Sequence, residues 1–164
     1  MIFVGFGAAW LMLWSQRAFG LRPLVLGLIA AAAVAIFGAA LRQYQRNRGV
    51  HDAEADSPAR QKANKIFYTV NITQWVAILV VGNVLANVGL GSWVLAAAMM
   101  IIGLHFFPLA KAFGNPKLNT TGAAFVVLAI VYPLLAPGGA SNPVGCLGAG
   151  LILWLSSLRS LAAG

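Results

Sequence analysis

Trp93–Lys111 reads WVLAAAMMIIGLHFFPLAK, a run whose single charge stands at its last position. As a helix it rises about 28 Å at ~1.5 Å per residue, close to the thickness of a bilayer's hydrocarbon core. Similar runs flank it on both sides. A spanning helix needs roughly 20 mostly apolar residues, which marks six segments: Ile2–Ser15, Pro23–Leu41, Ile66–Val88, Trp93–Lys111, Thr121–Ala136 and Pro143–Leu158. The first and fifth are short. The expected fold is therefore all-α, a polytopic transmembrane helical bundle of about six spans. It forms one integral membrane domain over residues 1–164, with a polar cytoplasmic loop at 42–65.

The charges agree with this reading. All three acids, Asp52, Glu54 and Asp56, fall inside the polar loop, so no carboxylate lies at membrane depth. The chain is 60% hydrophobic with a net charge of +8. Its cations sit at the ends of apolar runs, where they anchor to anionic headgroups, and form no stripe that would track nucleic acid. The expected partners are membrane lipids, anionic headgroups at the cytoplasmic side, and a second copy in a homo-oligomer. The single Cys146 excludes an internal disulfide and packs as a small hydrophobe. No Lys or Arg precedes Arg17, so the N-terminus lacks the basic lead of a signal peptide and reads as part of the domain.

Local punctuation places the helix ends. Pro23, Pro58 and Pro143 suit first helical positions, with Ser57 and Asn142 as N-caps. Gly114 with Pro116 closes the fourth helix, and Pro137-Gly138-Gly139 closes the fifth. From Pro58 the third helix starts early and extends two turns beyond the bilayer. Loop charge sets the orientation: Arg42, Arg46, Arg48, Arg60, Lys62 and Lys65 put 42–65 inside, with Lys111, Lys117 and Arg159 on the same side. Arg17 and Arg22 dissent. Both termini are then cytoplasmic, provided the first segment spans. Gly20-Leu21-Arg22-Pro23-Leu24-Val25-Leu26 and Gly89-Leu90-Gly91-Ser92-Trp93-Val94-Leu95 suggest tandem hairpins, three in all, although short membrane turns favour glycine in any case.

Polar side chains in hydrocarbon are costly and are the default functional candidates. Counting inward at about 1.5 Å per residue puts Asn71 about 9 Å and Gln74 about 13 Å from the cytoplasmic boundary, and His105 about 9 Å from it. Trp154 lies at a similar level. Tyr68, Asn71 and Gln74 share one helix face and are expected to surround His105, giving a ligand-binding layer of His105, Asn71, Gln74, Tyr68 and Trp154. Asn83, Asn87 and Tyr132 make a second polar layer nearer the outside. Pro108 leaves the Leu104 carbonyl without its amide donor beside the imidazole. His105 either binds a ligand, relays a proton or switches with pH, or it ties two helices together; both readings predict contact with the third helix. Trp14, Trp93 and Phe113 read as interface anchors, while Trp10, Trp75 and Trp154 lie deeper, where core packing is expected ahead of a substrate-stacking cluster. The small residues of Ala30–Ala35, Gly122-Ala123-Ala124, Gly145, Gly148 and Gly150 allow close helix approach or a dimer interface. His51, Asp52, Glu54 and Asp56 match no compact ligand spacing, so the loop reads as a solvated connector and no metal or cofactor is expected.

The run Gly103-Leu104-His105-Phe106-Phe107-Pro108-Leu109-Ala110-Lys111 resembles a segment of small uncharacterised multipass membrane proteins of bacteria. The resemblance covers about nine residues, with the neighbouring helices alike in hydropathy only. It implies a bacterial inner-membrane location and assigns no activity. Among functions, a small passive transporter or channel ranks first, since the usual ion-coupled exporters need an intramembrane Asp or Glu. A non-catalytic accessory or scaffold protein ranks second. An enzyme ranks third, because hydrolysis and phosphotransfer need paired carboxylates or a metal set, and bis-histidine haem ligation needs a second intramembrane histidine.

Overall fold

The computed structural model describes residues 2–47, 49 and 57–162. Among them are six α-helices and no strand: α1 Ile2–Phe19, α2 Pro23–Arg46, α3 Pro58–Asn87, α4 Val94–Ala112, α5 Lys117–Leu135 and α6 Val144–Ala162. Short 3-10 turns at Gly91–Trp93 and Gly139–Ser141 lead into α4 and α6. The protein is thus the all-α bundle that the hydropathy pattern predicts. Five helices are long and apolar enough to cross a membrane: α2, α3, α4 with its leading turn, α5 and α6. α1 falls short because its last turns hold Ser15, Gln16 and Arg17.

The helix ends follow the predicted punctuation. Ser57 Oγ accepts the Arg60 N–H at 3.2 Å and Pro58 fills the first position, so α3 does start two turns before its apolar run. Asn142 Oδ1 accepts the Val144 N–H at 2.8 Å. Several helices are longer than their apolar segments. α1 continues past Ser15 to Phe19, where Gly20 adopts a φ of 74° that other residues rarely take. α5 begins at Lys117, ahead of Thr121, with Asn115 Oδ1 accepting the Lys117 N–H at 3.2 Å. The bilayer boundary limits the apolar run, whereas the helix ends only where the backbone is given an alternative partner.

The chain divides into two compact bodies, one of α1, α2 and α6 from Cys146 onward, the other of α3, α4, α5 and the turn up to Gly145. In the first, Ala8 and Leu11 of α1 and Ile29 of α2 form a core flanked by Met12, Val25, Ala33, Leu147 and Trp154. α1 and α6 cross closely: a Cβ on Gly150 would lie 3.0 Å from the Gly7 carbonyl oxygen. Gln43 Nε2 donates to the Leu161 carbonyl at 3.4 Å, bringing the C-terminal ends of α2 and α6 together. In the second body α4 packs on both α3 and α5, and its most extensive partner is α5. That pairing joins two of the expected hairpins, while α5 and the greater part of α6 belong to different bodies.

The α4–α5 contact is tight for a stated reason. A Cβ on Gly103 would stand 2.9 Å from the Gly122 carbonyl oxygen, and one on Gly122 only 2.7 Å from that of Gly103. Lipid tails are as apolar as leucine, so membrane helices associate through close packing, which small residues permit. Met99 and Phe125 are fully buried beside this crossing, and the Phe106 and Phe125 rings lie 6.1 Å apart.

Candidate functional site

Two polar residues of the second body, Gln74 and His105, stand on the neighbouring helices α3 and α4, which pack along a seam. Its register is fixed at both ends. The Phe67 and Phe113 rings pack edge to face at 6.2 Å, with the Arg60 guanidinium 5.5 Å over the Phe113 ring. At the far end a Cβ on Gly82 would rest 3.6 Å from Val94 Cγ1. Gln74 is midway between Phe67 and Gly82, and Gly103-Leu104 is midway between Val94 and Phe113. Gln74 therefore sits across from the turn of α4 that carries His105.

On the seam Gln74 is the outlier. At 100° per residue its side of α3 also carries Ala63, Phe67, Val70, Ile78, Val81 and Leu85, all buried or half-buried. Gln74 is 9% exposed, and its Oε1 has no hydrogen-bond partner. Burying an amide oxygen without a donor costs roughly 1–3 kcal/mol in proteins. His105 is half-buried, and its Nδ1 is bonded to the Ile102 carbonyl of its own helix. A carbonyl only accepts, so in the neutral imidazole Nδ1 carries the proton and Nε2 is left as an acceptor. Gln74 Oε1 is thus a buried, uncharged acceptor without a donor, chemistry suited to a neutral hydrogen-bond donor.

The other residues of the expected inner layer are placed differently. Asn71 is half-buried, with Nδ2 donating to the Phe67 carbonyl at 2.9 Å. Tyr68 is 66% exposed and points away from the seam. Trp154 belongs to the first body, where its Nε1 donates to the Val4 carbonyl at 3.1 Å and fastens α6 to α1. The outer residues separate too. Tyr132 is buried, its hydroxyl donates to the Ala140 carbonyl at 3.3 Å, and its ring lies under Gly145. With the bond from Asn142 Nδ2 to the Pro137 carbonyl at 2.8 Å, it holds the turn after α5. Asn83 and Asn87 are exposed on α3.

No family model, curated protein or solved structure matches the chain. Its chemistry is read from its own residues, and there one pattern recurs. Thr69, Asn71, Asn83, Asn87, Thr121 and Ser157 each donate to the carbonyl four residues earlier in the same helix, at 2.9–3.3 Å. Such back-bonding satisfies a polar side chain inside its own helix and leaves it less need of a neighbour. One feature escaped sequence reasoning. The stacking of Arg60 on Phe113 depends on the register of two helices, which spacing alone does not show. Ser15, a candidate partner of the outer asparagines by sequence, is fully buried in the first body with an unpartnered Oγ. The expected connector residues His51, Asp52, Glu54 and Asp56 lie outside the described residues.

Proposed function

We propose that this is a non-catalytic integral membrane protein that acts by contact, an accessory or scaffold whose helices bind lipid and other membrane proteins. The observation that carries this reading is how little of α2 and α3 is covered. Ile29 is the buried residue of α2, and Ala63 and Gln74 are those of α3. A permeation path needs helices closed around it with polar side chains turned to a common lumen. Here most of those side chains bond within their own helices, and α3 is covered on one side alone. The location we propose is the bacterial cytoplasmic membrane, with the 42–65 loop and the C-terminus inside and, as five helices span, the N-terminus outside. Arg60, Lys62 and Lys65 in the first turns of α3, Lys111 at the end of α4 and Lys117 at the start of α5 would there meet anionic headgroups.

Crosslinking in native membranes followed by mass spectrometry tests this reading. A stable protein neighbour or a retained anionic lipid is the expected result, and purification as a lone, lipid-free species refutes it. One observation favours a second reading, passive permeation of small neutral solutes: the free Gln74 Oε1 across from the His105 turn. Solute flux in liposomes that falls for Gln74→Leu supports this reading, and wild-type protein without flux removes it.

A further inference from the structure

The cations of the second body differ in what holds them. Arg60, Lys62, Lys65, Lys111 and Lys117 are all exposed, and Arg60 is the one whose charge is seated on a ring, 5.5 Å over Phe113. At 100° per residue Arg60 is in phase with Ala63 and Phe67 on the packed side of α3, while Lys62 and Lys65 point about 160° and 140° away from it. Phe113 is braced in turn by Phe67, edge to face at 6.2 Å. Phe67 is the second residue of the apolar run that begins at Ile66, so two ring contacts lead from that run to the guanidinium. This sets the charge in the headgroup layer, which extends roughly 5–7 Å beyond the hydrocarbon.

Stacking occupies the flat face of a guanidinium and leaves its edge, where the N–H donors lie, turned outward. Among the described residues no acceptor meets the side-chain donors of Arg60. We propose that Arg60, held flat on Phe113, is a discrete site for the phosphate of an anionic phospholipid. The fork of N–H groups matches two phosphate oxygens, and the ring beneath fixes its plane before the lipid arrives.

Charge selects this occupant. Eleven Lys and Arg stand against three acids, and Asp52, Glu54 and Asp56 all lie in the loop before α3. The first body contributes Arg17, Arg22, Arg42, Arg46 and Arg159 and, among the described residues, no carboxylate. Wherever that body sits, and however many copies assemble, its described residues bring Arg60 no counter-charge. At this depth the membrane itself supplies one in its anionic headgroups.

This deepens the contact reading, on which it rests, by naming one lipid chemistry and the residue that takes it. Full-length protein in neutral detergent is titrated with phosphatidylglycerol and, separately, with phosphatidylcholine, and native mass spectrometry reads the first lipid bound. Wild type is expected to retain phosphatidylglycerol several-fold better. Arg60→Gln is expected to weaken that binding about tenfold, the worth of a charge-assisted hydrogen bond. Arg60→Lys keeps the charge without the fork and Phe113→Leu removes the ring; each is expected to weaken it about threefold. Lys62→Gln makes the same charge change on the far side of α3 and should stay within about twofold. Equal losses from Arg60→Gln and Lys62→Gln would mean a diffuse charged surface and overturn the proposal, as would a wild type without preference for phosphatidylglycerol. With Asp52→Asn, Glu54→Gln and Asp56→Asn combined, the Arg60→Gln loss is expected to remain about tenfold; a loss seen only in that background makes the loop acids the occupant and overturns it too. If Arg60→Gln costs a protein neighbour in native-membrane crosslinking and no lipid, an acidic partner takes the site, and the contact reading stands without this proposal.

Discussion

α4 and α3 are both apolar helices of the same body, yet they are used in opposite ways. α4 buries Ala96, Met99, Gly103, Phe106, Leu109 and Ala110, while the longer α3 buries Ala63 and Gln74. The difference is not one of hydrophobicity. Transfer from lipid to protein interior gains little for an apolar side chain, so a membrane helix is buried where its shape lets a neighbour approach. α4 has Gly103 facing Gly122 and a large aromatic on the same side. α3 has valines, leucines and threonines outward, with one polar residue at the middle of its packed face.

The contrast can be broken most forcefully at the glycine crossing. Gly103→Leu sets a side chain against the Gly122 carbonyl and the Val126 backbone, which cannot yield without moving a helix. A loss of about 3 kcal/mol, the upper end of overpacking costs, is expected in reversible unfolding from micelles. Leu79→Ala on the exposed face of α3 should change stability by less than about 0.5 kcal/mol in the same assay. If the two variants unfold alike, the packing account of α4 is wrong.

Gln74→Leu sharpens the comparison, because it asks whether the seam of α3 carries an unmet polar group. Removing an acceptor that has no donor should stabilise the protein by about 1 kcal/mol. A destabilised variant would mean that Oε1 has a partner in the membrane, water or solute, and would move weight to the permeation reading. Tyr132→Phe is the smallest expected effect. It deletes the bond to the Ala140 carbonyl, and hydrogen bonds in membrane proteins average ~0.6 kcal/mol. Measured by the same unfolding, a loss above about 2 kcal/mol would show that this turn organises more of the body than the bond accounts for.

What was legible in the sequence is what depends on neighbours along the chain. The early start of α3 at Pro58, the caps at Ser57 and Asn142, and the stops at Gly114 and Gly138 are local chemistry, and they stand where the pattern puts them. Depth was open to a count from the charged ends, as an expectation for Gln74 and His105. Azimuth was not. Tyr68, Asn71 and Gln74 step 60° around the helix from one to the next, so they span an exposed, a half-buried and a buried position. Trp154 belongs to another body, where it bonds the Val4 carbonyl. The bond from His105 to Ile102 also defeats inference from spacing, since a helix carbonyl is available to any histidine and the choice between it and a neighbouring helix is made by packing.

The side chains that bond to the carbonyl four residues back have a consequence for how the protein is made. A helix whose amides and hydroxyls bond to its own carbonyls carries fewer unmet polar groups into lipid before its neighbours are in place. Gln74 is buried in α3 with an oxygen that finds no such partner. That oxygen stays unmet after α4 has packed on α3, so the cost Gln74 carries into the membrane persists in the folded protein.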